Sequence, residues 1–206
     1  MTTVLLARHG ETDWNREGRV QGWAPTGLTE RGRRQARELG AWLDDNRDVD
    51  RVVVADLRRT RETTAAIRAS ATGLPEPTLD RAWRERGFGV EQGFLATELL
   101  ERYPDHDQEA SVSSLPIDPE GGECLDGFCA RVESALDGLC ERCQPGETAL
   151  VVTHGGVIKT ALAAATDRER TAALAGSSPP NGSVTELRLE NSIELRTDGF
   201  VPWEDE

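Results

Sequence analysis

Two short apolar segments, far apart in the chain, each lead to a histidine. Val4–Ala7 is followed by Arg8 and His9, and Ala149–Val152 is followed, after one threonine, by His154. Uninterrupted apolar runs of this length are typical of strands buried on both faces of a parallel sheet. In open α/β sheets, ligands bind beyond the carboxyl ends of such strands. The pattern therefore predicts an α/β fold with two of the chain's three histidines at one crevice.

A glycine follows each of these histidines, Gly10 in the first segment and Gly155 in the second. Without a Cβ atom, a glycine lets the chain turn sharply and lets a ligand approach the main-chain amides. The helix expected after the second glycine would direct its free N–H groups at the same crevice, where an anion binds favourably. Both segments thus predict an anion site at the sheet edge.

A further strand brings arginine to the same edge. Arg51–Ala55 is rich in valine, and Arg58 and Arg59 follow it at the start of a helix that continues through Ile67. Carboxyl ends of parallel strands meet at one edge of a sheet, so one of the two arginines is expected in the crevice and the other in solvent. Residue spacing alone leaves open which is which.

The remaining segments predict helices around this sheet and an antiparallel strand at its edge. Helical periodicity or capping indicates helices over 30–43, over 95–103, from Gly121 to Leu139 with Gly121-Gly122-Glu123 as its opening, and from Gly156 to Ala165. Segments 181–189 and 193–196 alternate as a closing hairpin does. Residues 13–27 are expected to form an irregular loop that carries binding residues.

Composition limits the classes of protein that fit. A chain of 206 residues suits one domain, here residues 1–206, and it has no leader-like segment or bilayer-length apolar run. We therefore expect a cytoplasmic protein with no membrane partner. The net charge of −13 argues against a nucleic-acid partner, because phosphate backbones bind basic surfaces. A phosphate site in such a chain has to be a local positive island.

Four cysteines fall on or beside the helix that follows Glu123. Cys140 and Cys143 have the spacing of half a zinc site, but a helix holds Cys124 and Cys143 roughly 25 Å or more apart at about 1.5 Å per residue. Four ligands could not converge on one ion, so we expect thiols that pack the helix and no metal. His106, between two aspartates, is expected to be an exposed surface residue without a function.

The order of the motifs resembles that of the histidine phosphatase superfamily, in its phosphoglycerate-mutase-like group. The resemblance extends from about Val4 to Val184 and implies a three-layer α/β/α sandwich with a mostly parallel sheet, an antiparallel edge strand and a cap segment at about 95–122. The motifs that carry it are Arg8-His9-Gly10-Glu11-Thr12, Trp14-Asn15, Gln21-Gly22, Leu28-Thr29-Glu30-Arg31-Gly32 and His154-Gly155.

The resemblance also assigns roles that spacing alone does not. It gives the phosphate contact to Arg59 and leaves Arg58 outside, and it places Glu85 in the crevice as the catalytic acid. Ala55 departs from the serine often found near that position in the family. Glu123 is a further candidate for substrate contact. The predicted phosphate-binding set is Arg8, Asn15, Gln21, Gly22, Arg59, Glu85, His154 and Gly155.

These residue types suit phosphoryl transfer through an enzyme nucleophile. Neutral His9 can attack phosphorus, while arginine forks and His154 stabilise the charged oxygens in flight. Glu85 would protonate the leaving oxygen and then activate water. Because arginines would meet the phosphate charge, we expect no metal and no cofactor.

The sequence favours a phosphomonoester hydrolase that acts on a small phosphorylated metabolite. One alternative is a 2,3-bisphosphoglycerate-dependent phosphoglycerate mutase, which would need further cations near the pocket; Arg86 and Arg102 are the available ones, and residues 104–120 contain neither arginine nor lysine. A second alternative is an inactive relative that binds phosphorylated ligands, although every catalytic position is filled. A homodimer remains open.

Charge and composition together predict tolerance of high salt. Lys159 is the only lysine beside many arginines, and acidic residues outnumber basic ones by 37 to 24, a bias expected of adaptation to high salt or to a GC-rich genome. Repulsion among carboxylates destabilises the folded chain at low ionic strength, and a Debye length of roughly 3 Å at 1 M salt removes most of it. We expect the melting temperature to rise as KCl approaches molar concentration. A steady fall in that melting temperature would contradict the interpretation.

Overall fold

A six-stranded mixed sheet with the order β3-β2-β4-β1-β5-β6 forms the centre of the molecule. The computed structural model describes residues 2–106, 111–166, 170–189 and 193–202. The strands are β1 (Thr2–Arg8), β2 (Arg51–Val54), β3 (Thr78–Leu79), β4 (Thr148–Thr153), β5 (Val184–Leu189) and β6 (Ile193–Phe200). Strands β1 to β4 are mutually parallel, whereas β5 runs antiparallel to β1 and β6 antiparallel to β5.

Helices cover both faces of the sheet. They are α1 (Asp13–Arg16), α2 (Glu30–Asn46), α3 (Arg58–Arg68), α4 (Ala96–Glu101), α5 (Leu125–Arg142), α6 (Gly155–Thr166) and α7 (Arg170–Ala175). Alternate residues of β1 enter separate hydrophobic clusters, because successive strand side chains point to opposite faces. Leu5 packs in the cluster that includes α2 and α3, and Leu6 in the cluster that includes α5 and α6. The predicted α/β/α sandwich is therefore confirmed.

The register of the parallel strands brings both histidines to one edge. Arg8, the last residue of β1, lies opposite Thr153, the last residue of β4, and the His9 N–H donates to the Thr153 carbonyl at 3.0 Å. Val54 at the end of β2 pairs with Val152. The three strand ends are thus level, and the residues that follow them share one crevice.

Several elements differ from their predicted form. Segment 13–27, expected to be irregular, begins with the short helix α1, which is capped by reciprocal hydrogen bonds between Thr12 and Asn15. Helix α5 begins only at Leu125, because the sulfur of Cys124 accepts the Gly127 N–H as its N-cap. Helix α7 was not predicted, since its six residues are too few to show a clear period.

The cysteines do not all pack the helix as expected. Cys129 and Cys143 are buried and Cys140 is half-buried, but Cys124 is exposed and serves as the cap of α5. Burial raises the pKa of the Cys140 thiol to about 11, and it raises the pKa of Cys143 as well. Both thiols are therefore protonated at neutral pH.

Segment 95–122 shares a small hydrophobic cluster with two residues that precede it. That cluster consists of Val20, Phe88, Leu99, Leu100, Leu115 and Ile117. His106, expected to be exposed, is instead half-buried, and its Nε2 lies 3.2 Å from the Ser114 hydroxyl. In the described part of the chain, no helix is both long and apolar enough to span a bilayer.

Candidate active site

His9 and His154 lie side by side in the crevice at the carboxyl edge of the sheet. Their ring centroids are 5.2 Å apart with the planes at 61°, and both side chains are buried. His9 follows β1 directly, and His154 lies between β4 and the first residue of α6. The crevice predicted from the two apolar segments thus contains both histidines.

Hydrogen bonding fixes the tautomer of His9. Its Nδ1 lies 2.8 Å from the Gly10 carbonyl, and because a carbonyl can only accept, Nδ1 carries the proton. Nε2 is left with its lone pair, which accepts a hydrogen bond from Arg59 Nε at 3.2 Å. Desolvation, followed by the charges of Arg59 and Arg8, holds the pKa of His9 well below its ordinary value. A neutral imidazole with an unprotonated Nε2 is the form that a nucleophile needs.

Arg59 is held in the first turn of α3 and is 1% exposed. Its terminal nitrogens donate to the carbonyl of Gly22 at 2.8 Å and to that of Ala24 at 3.2 Å. Burial lowers the pKa of Arg59 to about 10, which leaves it charged at neutral pH. Arg58, by contrast, is exposed and pairs with Glu62, so the structure separates the two arginines as the resemblance implied.

Arg8 enters the crevice from the end of β1. One terminal nitrogen donates to the Pro179 carbonyl, while the buried Nε has no hydrogen-bond partner within the described residues. Burial lowers the pKa of Arg8 to about 10, against an opposing effect of the Glu85 charge. Arg8 is therefore a charged donor with hydrogen-bonding capacity to spare.

Both ring nitrogens of His154 are buried and unpartnered over the part of the chain that the structure covers. Desolvation and the nearby charge of Arg59 are the main causes that hold the pKa of His154 well below its ordinary value. Leaving a buried polar atom unsatisfied destabilises a fold by about 1–3 kcal/mol. Such groups gathered beside two arginines fit an anion that brings the missing acceptors.

Glu85 faces the same crevice from the loop after a short 3-10 helix, Arg81–Trp83. Its two oxygens accept the Gly156 N–H at 3.1 Å and the Arg86 N–H at 2.9 Å. A Cβ atom on Gly156 would lie 2.3 Å from a Glu85 oxygen, so any larger residue there would displace the Glu85 carboxylate. Nothing in the sequence around Gly156 pointed to this contact, because Glu85 lies 71 positions away.

The predicted site residues of the loop after β1, which include Asn15, Gln21 and Gly22, form hydrogen bonds around the crevice. Asn15 Oδ1 and Gln21 Oε1 both lie 3.0 Å from the Thr12 hydroxyl. Gly22 has a positive φ of 49° and supplies a carbonyl to Arg59. A Cβ on Gly155 would lie 3.5 Å from the Arg8 guanidinium carbon, so this glycine lies against the arginine.

Asn181 is a residue of the site that sequence reasoning missed. Its amide nitrogen donates to the His9 carbonyl at 3.0 Å and to Asn15 Oδ1 at 3.2 Å. Asn181 therefore ties the His9 backbone to the loop of Asn15. Segment 181–189 indicated only a closing hairpin, and nothing in its spacing pointed to a contact between Asn181 and His9.

The two further arginines that a mutase could use near the pocket, Arg86 and Arg102, are bound to other groups of the protein. Arg86 is fully buried, and its guanidinium donates to four carbonyls, those of Ser113, Leu115, Ile117 and Glu123. Arg102 pairs with Glu91 at 2.9 Å.

Glu123, a candidate for substrate contact, binds Arg131 through both carboxylate oxygens, at 2.8 and 2.7 Å.

Over the described residues there is no group of three or more potential metal ligands.

Residues 4–194 match the family model of the histidine phosphatase superfamily (branch 1). The chain belongs to this superfamily.

Relatives of this chain carry the names of two different activities. The chain is 35% identical over 161 residues to a metal-independent phosphoserine phosphatase of Arabidopsis thaliana, covering 77% of this chain and 66% of that one. It is 31% identical over 200 residues to a 2,3-bisphosphoglycerate-dependent phosphoglycerate mutase of Methylorubrum populi, covering 94% and 93%. The structure of Bacillus stearothermophilus YhfR superposes with a TM-score of 0.84 at 31% identity, covering 97% of both chains.

The depressed pKa values of the two histidines predict a dependence of stability on pH. An unfolded histidine titrates near 6.5, so between pH 7 and 5.5 the unfolded chain takes up protons that the folded chain does not. The free energy of unfolding should therefore fall over this window, by about 1 kcal/mol for each buried histidine. Denaturant unfolding of His154→Gln at both pH values should show a decrease in the free energy of unfolding that is smaller than the wild-type decrease by the contribution of one histidine. A wild-type pH dependence in that variant would contradict the assignment.

Proposed function

We propose that the protein is a metal-independent phosphomonoester hydrolase that acts through a phosphohistidine on His9. The observation that carries the proposal is the state of His9, a neutral ring with an unprotonated Nε2 that lies beside three groups able to bind phosphate. Its named relatives include both phosphatases and mutases, so the reaction has to be argued from the site.

In the first half-reaction the phosphoryl dianion binds between Arg8, Arg59 and His154. The unpartnered nitrogens of Arg8 and His154 supply donors that are already in place, and such preorganised groups stabilise the charge of the transition state. Nε2 of His9 forms a bond to phosphorus as the bond to the leaving oxygen breaks. Protonated Glu85 gives that oxygen its proton.

In the second half-reaction water attacks the phosphohistidine. Glu85, now a carboxylate, takes the proton of the attacking water, and the bond between phosphorus and Nε2 breaks. The Nδ1 hydrogen bond to the Gly10 carbonyl holds the ring in the same orientation and tautomer throughout. Free phosphate leaves, and His9 returns to its neutral form.

Hydrolysis is favoured over the mutase reaction by the engagement of the nearby cations. A mutase has to hold a bisphosphorylated intermediate while it reorients, which takes additional cationic groups and exclusion of water. Arg86 donates to cap carbonyls and Arg102 pairs with Glu91. Residues 104–120 add no arginine or lysine. Water can then reach the intermediate.

The substrate class follows from the same set of groups. Two guanidinium groups and His154 can meet the charge of one phosphoryl group without a divalent ion. A small phosphorylated metabolite with a single phosphate fits this site. The filled nucleophile and acid positions favour an enzyme over an inactive binding protein.

Incubation with 3-phosphoglycerate separates the two reactions. We expect release of inorganic phosphate at a rate that neither added 2,3-bisphosphoglycerate nor excess chelator changes, because the site needs neither a phosphate donor nor a metal. His9→Ala is the matched blank, since it lacks the nucleophile. Rapid formation of 2-phosphoglycerate that depends on the bisphosphate, with little free phosphate, would establish the mutase reaction instead.

A further inference from the structure

Arg131, on α5, reaches the backbone of the loop that carries Glu85. Its Nη1 donates to the carbonyls of Ala82 and Arg84 at 2.8 and 2.9 Å, and its Nη2 donates to the carbonyl of Glu85 at 3.3 Å. These three carbonyls precede or belong to Glu85 itself. One guanidinium therefore holds three carbonyls on the N-terminal side of the candidate acid, and the Trp23 indole N–H also donates to the Glu85 carbonyl, at 2.7 Å.

Glu123 fixes the other side of the same loop. Its Oε2 accepts the Gly87 N–H at 2.9 Å, and its own N–H donates to the Gly87 carbonyl at 2.8 Å. The two oxygens of Glu123 also bind Arg131 in the parallel geometry of a bidentate pair. Arg131 and Glu123 thus form one unit that holds the chain on both sides of Glu85.

This unit does not touch the reacting groups. The contact of Arg131 with Glu85 is to the backbone carbonyl, whereas the Glu85 carboxylate binds the N–H groups of Gly156 and Arg86. The position of the carboxylate depends on the loop, because Glu85 extends from the loop toward α6. A displacement of about 1 Å at a catalytic group can reduce a rate on the order of 10²-fold.

We propose that Arg131, acting with Glu123, is a positioning residue for the acid and base steps of Glu85. This inference rests on the proposed function, in which Glu85 protonates the leaving oxygen. Lysine at position 131 keeps the positive charge, but its single ammonium group lacks the planar fork of N–H donors. It therefore cannot donate to three carbonyls and bind a carboxylate at two points at the same time. The loop would then retain its fold while Glu85 loses its fixed distance from the leaving oxygen.

The test compares first-turnover rates of enzyme phosphorylation with two substrates, nitrophenyl phosphate and an alkyl phosphate. Nitrophenolate hardly needs a proton, whereas an alkoxide does. We expect Arg131→Lys to slow the alkyl phosphate roughly 10- to 100-fold and nitrophenyl phosphate much less. Glu85→Gln should show the same selectivity, and Arg131→Lys should add little in the Glu85→Gln background, since both changes act on one step.

Arg142→Lys is the matched control, because Arg142 is an exposed arginine on the same helix; it should leave both rates unchanged. If Arg131→Lys fails to fold, Glu123→Gln provides the second variant. It retains the carbonyl contacts of Arg131 but weakens the pair, and it should show the same selectivity to a smaller degree.

The outcomes separate this inference from the proposed function. Equal slowing of both substrates in Glu85→Gln would remove Glu85 from the acid role and with it the proposed mechanism. Selective slowing in Glu85→Gln, but equal or no slowing in the folded Arg131 or Glu123 variant, would overturn the positioning role alone. So would full additivity of Arg131→Lys and Glu85→Gln.

Discussion

The burial of two guanidinium groups beside two imidazoles is the constraint on which the rest of this site depends. Removing these groups from water is unfavourable, and their charges repel. The protein offsets this in two ways: backbone carbonyls of Gly22, Ala24 and Pro179 accept from the arginines, and both histidines stay neutral. The neutrality that burial imposes on His9 is also what makes it a nucleophile.

The same constraint accounts for the shape of the surroundings. A backbone carbonyl can accept a hydrogen bond from a buried arginine only where no side chain of the same loop lies between them. Gly22, in the loop after α1, has a positive φ, and Gly155, the first residue of α6, lies against Arg8. The ion pair of Arg131 and Glu123 holds the loop that carries Glu85. Loops positioned on a rigid sheet in this way can carry a site of defined geometry.

The sheet and the histidines could be predicted because their signals are local. An apolar run that leads to His9 or His154 predicts a buried strand and, at its carboxyl end, the position of the crevice. The ends of β1, β2 and β4 lie at the same level because these strands pair in parallel. Arg59 needed the resemblance, since Arg58 is an equally good candidate by spacing. The order of elements was likewise predictable, whereas the boundaries of α5 and the short α1 and α7 depended on individual caps.

The rest of the site depends on contacts between distant segments. Asn181 reaches His9 across 172 positions of the chain, and Arg131 reaches the Glu85 carbonyl across 46. In the sequence Arg131 is one arginine on an amphipathic helix, and only packing reveals that it faces a loop. Arg86, which the sequence left available as a cation for the mutase alternative, donates to the carbonyls of Ser113, Leu115 and Ile117, and only the folded structure shows this.

The central claim is that the unprotonated Nε2 of His9 carries the phosphoryl group. The most direct test mixes nitrophenyl phosphate, whose leaving oxygen hardly needs a proton, with the Glu85→Gln variant, in which hydrolysis of the intermediate is slowed, and stops the reaction in alkali. Mass spectrometry of peptides then locates the phosphoryl group, and ³¹P NMR distinguishes the two ring nitrogens. We predict phosphohistidine at Nε2 of His9. A phosphoryl group on Nδ1 of His9 or on His154 would contradict the account.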